Sequence, residues 1–341
     1  MSARQATAEK GIAGVLLAAG GAASYGVTVV IGRRLAGDGV SSAPALAIRF
    51  AIAAAVLAVV LAIRQAVLAR APTRPQAEAL PLRRRAALKI LALGAVGYAG
   101  QSTLFYLSLQ RGTAASCILL FYAYPALVVL IAWGLGRGAP SRGTAVAVIL
   151  AAAGAAIVAL SSGPLAISDV GIALALGSAC VFALYVLAGD ALSNGFSALT
   201  MAAWVAVGAS LASVARGALE HSLAAPSGHW PLLIAYGVMT AAAFSLMFGA
   251  IARLGAGPAS VVMTLEAAFT VVLAAVFLGE GITAGQALGG AGILAATVII
   301  SRARSGDRAP ARSFPRRRGG QVAFALERRG GAHDDQAVRA L

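Results

Sequence analysis

Long apolar runs alternate with short polar connections along this chain. Ten runs stand out, at about 11–32, 42–63, 87–109, 113–135, 143–161, 170–189, 197–217, 229–251, 257–279 and 283–301. Each is close to the roughly 20 residues that a helix needs to cross a bilayer. The connections carry breakers or charge, as in Gly37-Asp38-Gly39 and Gly136-Arg137-Gly138-Ala139-Pro140. A membrane β-barrel would instead show segments of about 10 residues alternating apolar and polar. The pattern therefore predicts an all-α integral membrane protein with ten transmembrane helices. The first run, starting near Gly11, is too long for a cleavable signal and lacks an early cleavage site, so it reads as the first span.

Composition agrees with this reading. The 341 residues are 60% hydrophobic and only 11% charged, with mean hydropathy +0.85. A soluble domain carries about 25% charged residues. The net charge of +15 does not indicate nucleic-acid binding, because the basic residues are nearly all loop and tail arginines without interleaved aromatics. With ten spans, both ends lie on one side. That side holds 22 of the 27 Lys and Arg, the other side holds 4, and Arg49 lies within a span. The positive-inside rule then places both termini in the cytoplasm. Cys117 and Cys180 sit inside apolar runs, which argues against a disulfide framework or a metal site. His221, His229 and His333 have no metal-ligand spacing. No cofactor is expected.

One residue breaks the apolar pattern more than any other. Glu266 lies well inside the run from Pro258 to Glu280. A carboxylate at mid-membrane costs roughly 2.5–3.5 kcal/mol on insertion scales, so such residues usually face a cavity or a partner. The alternative is a protonated Glu hydrogen-bonded to a neighbouring helix. Glycines are more simply explained. Gly20, Gly21 and Gly26 in the first run, and Gly289, Gly290 and Gly292 in the last, suit close helix packing in lipid.

The chain also repeats itself. Arg111 to Ser116, Leu120 to Leu127 and Gly136 to Gly138 find counterparts in Arg253 to Ser260, Thr264 to Phe269 and Gly279 to Gly281, an offset of about 142 residues. That is close to five spans. Five is odd, so the second copy would enter the membrane upside down. Inverted repeats with a site at midplane are a recurring plan of secondary transporters.

At these residues the sequence resembles the EamA family of the drug/metabolite transporter superfamily. The resemblance rests on Ala256-Gly-Pro-Ala-Ser through Leu265-Glu266, Phe277-Leu-Gly-Glu280 through Gln286, and Gly289, with Ala47-Ile-Arg49-Phe50 and Tyr122-Ala-Tyr124-Pro125 in the first half. It covers about residues 12–301 and implies two five-helix repeats, 11–161 and 170–301. A short N-terminal segment, 1–10, and a basic tail, 302–341, flank them. The chain departs from the family where Glu-Pro is common in both halves: here stand Tyr124-Pro125 and Glu266-Ala267. Arg137 also stands where a terminal Glu is common. These departures argue against a symmetric mechanism with two carboxylates.

The candidate site residues follow from depth and chemistry. Glu266 is expected to line a central cavity and to couple solute binding to protonation or to the gate. Pro125 lies inside the fourth run, where it removes a backbone hydrogen bond and would clash with the carbonyl of Phe121. Tyr122 and Tyr124 flank it and offer hydroxyls at depth. Arg49, about 10 Å into its span, has three options: to snorkel outward, to pair with a carboxylate, or to bind an anionic solute. Tyr98 and Gln101 lie one turn apart and share a face. Tyr185, Trp204 and Ser245 complete the set. Glu280, at the end of the ninth run, reads as an interfacial residue.

Other function classes fit less well. The two lysines, Lys10 and Lys89, lie outside any phosphate-binding loop, which argues against an ATP-driven pump. A catalytic constellation is missing, so the chain is not read as an enzyme. A secondary transporter in the cell's inner membrane remains, with export as the direction the resemblance implies and a small metabolite or drug-like solute as cargo. Protons are the natural coupling ion, the lipid bilayer is the medium, nucleic acid is not a partner, and a homodimer is compatible with the architecture. The alternatives are a passive facilitator and a membrane scaffold without transport.

Overall fold

A computed structural model describes residues 3–70, 84–112, 114–161, 167–193, 196–221, 228–278 and 281–306. The expected tail beyond Gly306 lies outside this set, as do Arg83 and Glu280. Every named element is helical. In order these are α1 Ala3–Gly37, α2 Ser42–Arg70, α3 Arg84–Ala92, a π-helical turn Leu93–Tyr98, α4 Ala99–Leu109, α5 Ala114–Phe121 and α6 Tyr124–Gly134. There follow α7 Arg142–Leu160, α8 Asp169–Ser193, α9 Ala198–Leu219, α10 Trp230–Leu254, α11 Ala256–Met263, α12 Leu265–Leu278 and α13 Ala284–Gly306. Among the described residues, nine helical stretches are long and apolar enough to cross a membrane. The tenth apolar stretch, Ala284–Ile300, is shorter. Its 17 residues reach about 26 Å at 1.5 Å each, just under a hydrocarbon core of about 30 Å.

Two spans are not single helices. The fourth ends its first half at Phe121 and restarts at Tyr124; the ninth ends at Met263 and restarts at Leu265. Tightened bonds close both breaks: Ala123 N–H to Leu120 O at 3.2 Å, and Thr264 N–H to Val261 O at 3.2 Å. The Thr264 hydroxyl donates to the same Val261 carbonyl at 2.6 Å, competing with the regular ladder. Pro125 falls in the first turn of α6, where its missing N–H costs nothing. The clash with Phe121 expected of a helix-internal proline is avoided because α5 stops there. The two breaks, at 122–123 and at 264, keep the 142-residue offset of the internal repeat.

Helix pairing follows the backbone's need for close approach. α1 packs on α10 and α12, α2 on α9 and α10, α8 on α4, α5 and α6, and α7 on α13. The π-helical turn packs on α9. There Gly94 lies against the Val205 carbonyl and Gly208 against the Leu91 carbonyl, leaving no room for a side chain on either glycine. The α7–α13 crossing is equally tight. A Cβ on Gly154 would lie 2.6 Å from Gly289 O, and one on Gly289 would lie 2.5 Å from Gly154 O. In lipid, where no hydrophobic force brings helices together, such contacts supply the van der Waals attraction.

Candidate functional site

Glu266 is the second residue of α12, two residues past the break at Thr264. It is only half-buried, although its neighbours Leu265 and Ala267 are buried at 4% and 5% exposure. No hydrogen bond or ion pair joins its carboxyl group to any described residue. The neighbouring-helix hydrogen bond of the alternative reading is therefore not found among them. Four other groups lie within electrostatic reach of it: Arg49, Tyr98, Tyr122 and Tyr124.

Those groups come from three spans of the first half. Tyr122 sits in the break itself and Tyr124 opens α6, so the interruption places both phenols beside Glu266. The Tyr124 hydroxyl donates to Ser260 O of α11 at 3.3 Å, tying one broken span to the other. Tyr98 ends the π-helical turn. A π turn shifts the register of the side chains that follow it and is frequent at functional sites. Tyr98 stacks edge-on against Phe50 at 5.6 Å and Phe244 at 4.7 Å, and tilts against Tyr185 at 5.5 Å. Phe182 joins Tyr124 to Tyr185, at 4.8 and 5.6 Å. An aromatic wall thus runs from the break of the fourth span, along α8, to the π turn.

Two of the three options the sequence offered for Arg49, snorkelling outward and pairing with a carboxylate, are not taken among the described residues. It is 7% exposed, so it does not snorkel. Among the described residues no carboxylate lies within ion-pair distance. Its Nε donates to the Thr240 hydroxyl at 2.6 Å and its Nη1 to the Tyr236 hydroxyl at 3.0 Å. The guanidinium also lies over the Tyr236 ring, 4.4 Å from its centre, and 5.2 Å from that of Phe50. Two hydroxyls and two ring faces of α2 and α10 thus satisfy this charge.

Tyr185 is the opposite case. It is 1% exposed, and its hydroxyl has no hydrogen-bond partner among the described residues. Three expected residues stand apart. Gln101 is spent on a helix–helix clasp, its Nε2 donating to Ser178 Oγ at 3.1 Å while that hydroxyl donates to Gln101 O at 3.1 Å. Trp204 lies half-buried on α9 and makes no ring contact with the aromatic wall among the described residues. Ser245 bonds back to Ala241 O of its own helix. A cavity of about 450 Å³ lined by Ala43, Leu46, Ala95, Ala99, Thr103 and Arg216, among others, contains none of the expected residues. It opens between α2, the π-helical turn, α4, α8 and α9, and Glu266 does not line it.

Sequence reasoning missed Tyr25, Phe50, Phe182, Tyr236, Thr240 and Phe244. Tyr25 lies within electrostatic reach of Tyr98, Tyr185 and Arg49. Apolar aromatics inside a span carry no sequence mark that separates a site wall from a lipid face. The signal for Thr240 was its lone polar side chain one turn from Tyr236 in a buried stretch.

Two broken spans that face each other, one of them presenting a carboxyl group without a partner among the described residues, belong to a polytopic helical membrane protein. The chain belongs to the EamA-like transporter family, whose model matches residues 12–160 and again 169–302. The two matches make it a protein of two repeats. Comparison with curated proteins finds no match. Among solved structures, one crystal structure, described simply as that of a protein, aligns at TM-score 0.62 and 19% identity. The alignment covers 89% of this chain and 98% of the other. At that identity the likeness shows the shared fold.

Proposed function

We propose that this chain is a secondary transporter that exports a small metabolite or drug-like solute across the cell's inner membrane by alternating access, with Glu266 at the solute site. The observation that carries the reading is the Glu266 carboxyl group: deep in the bundle, half-buried, and without a partner among the described residues. A membrane protein tolerates such a group where it meets a solute, an ion or a proton. Interrupted segments at corresponding positions of two halves are the best pointer to a transporter's binding site. The breaks at 122–123 and 264 fit that rule.

The repeats are read as inverted, each of five spans, over 11–161 and 170–301. The packing supports this. α1 on α10 corresponds to α8 on α4, and α1 on α12 to α8 on α6, when each span is exchanged for the one five places on. The basic residues put both termini in the cytoplasm. Protons serve as the coupling ion, exchanged at Glu266. Tyr122, Tyr124, Tyr98 and Tyr185 line the solute's path, Arg49 sets the local field, and Pro125 keeps the fourth span in two pieces.

Purified protein in liposomes, loaded with a metabolite mixture from cells and given an imposed proton gradient, tests this reading. Protein-dependent movement of at least one metabolite against its gradient is expected. Movement only down its gradient would make the protein a facilitator, and no movement at all would sink the transport reading.

A further inference from the structure

We propose that the ion pair between Arg137 and Asp190 is the latch that holds one end of the bundle closed; the inference rests on the alternating-access reading. Arg137 Nη1 lies 2.5 Å from Asp190 Oδ2, and the two side chains are 39% and 23% exposed. Arg137 belongs to the first repeat, just past α6. Asp190 belongs to the second, in the last turn of α8. At the same end, Arg64 of α2 donates to the hydroxyl of Ser197, the residue that caps α9, at 3.1 Å. Both ties therefore join one repeat to the other where their helices end.

The latch arginine is held rigidly on its helix. α6 closes with a paired cap: Gly136 N–H bonds to Trp133 O at 2.9 Å and Arg137 N–H bonds to Ala132 O at 3.1 Å. This is the bonding of a helix stop that needs a left-handed residue, and Gly136 supplies it with φ 75°. Gly138 follows with φ 91°. Any tilt of α6 must carry Arg137 with it. At its other end, about 16 Å away along 11 residues, α6 begins with Tyr124, which bonds to the second broken span beside Glu266. The half-helix is thus a short lever with the site at one end and the latch at the other. The break at 122–123 frees it from α5.

A partly exposed ion pair is weak, and salt screens it. Its loss should therefore shift a closed–open balance by about two- to five-fold. The experiment places spin labels on Ala139→Cys and Ala191→Cys in full-length protein whose Cys117 and Cys180 are replaced by Ala, reconstituted in liposomes. Distances between the labels are measured by pulsed electron resonance. Arg137→Ala and Asp190→Asn should each raise the ratio of long to short distances about two- to five-fold. The charge-exchanged double variant, Arg137→Asp with Asp190→Arg, should return the ratio to that of the parent. An unchanged ratio in both single variants would overturn the latch, as would a double variant that behaves like the single ones. Transport by Glu266→Gln in the same liposomes reports separately: if that variant loses transport while the distance ratio never moves, the latch falls and the transporter reading stands.

Discussion

The breaks in the fourth and ninth spans use the same backbone device with different chemistry. At 122–123 the chain stops one helix and starts another with Tyr124-Pro125; at 264 it does so with Leu265-Glu266-Ala267. The first break has a proline to enforce it. The second has none, and relies on the Thr264 hydroxyl bonding back to Val261 O. The first presents phenols, one of them already bonded across to Ser260 O. The second presents a carboxyl group that bonds to no described residue. A backbone that is paired across two repeats can therefore carry an unpaired charge in one of them. The proposed division of labour is that the first break holds the two halves in register and the second meets the cargo.

Arg49 sharpens this contrast, because it is another ionisable group inside the bundle and it has hydroxyl and ring partners on α2 and α10. The largest expected effect separates the two charges. Glu266→Gln should keep the amount of inserted protein and its melting temperature close to the parent's while concentrative transport falls by at least ten-fold. Arg49→Met should do the reverse in stability. It leaves the Thr240 and Tyr236 hydroxyls buried without their donor, at a cost of about 1–3 kcal/mol, read as a lower melting temperature of the purified protein. If Glu266→Gln melted lower than Arg49→Met, the carboxyl would be the structural group and the contrast would be wrong.

Smaller effects test the first break. Tyr124→Phe removes the bond to Ser260 O while keeping the ring and its aromatic contacts. An interhelical bond in a membrane averages about 0.6 kcal/mol, so melting should drop slightly, and the register between the halves should loosen. The smallest effect is expected at Tyr185→Phe. Its hydroxyl has no described partner, so stability should hold or rise. A marked loss of stability would mean that the hydroxyl is bonded in the folded protein.

Much of the fold could be read from the sequence, for a physical reason. A span of about 20 apolar residues is a one-dimensional signal, so the runs and their limits need no knowledge of neighbours. Helix pairing is different. A span such as α7 is apolar nearly all round beyond its first turn, so no polar face marks which side meets which helix. The π-helical turn went unread because Gly94 and Gly97 look like ordinary packing glycines; only the close Val205 carbonyl reveals why residue 94 has no side chain. In the site, Glu266, Arg49, Tyr98, Tyr122, Tyr124 and Tyr185 could be named because polar side chains stand out in hydrocarbon, and the structure brings these six together. Gln101 and Trp204 stood out equally and lie elsewhere, since depth alone does not say which way a side chain points. Arg49's partners are 187 and 191 residues away in the chain, beyond any local pattern.

The central claim is that the Glu266 carboxyl group exchanges a proton as the solute moves. The most direct measurement is initial transport rate against pH, for the parent and for Glu266→Gln, at matched abundance in liposomes. The account predicts that the parent's rate varies with pH and that the variant is slow and flat across the same range, since Gln keeps the shape and hydrogen-bonding capacity but cannot ionise. A variant with the parent's rate and the parent's pH profile would contradict it, and would leave Glu266 as a structural side chain.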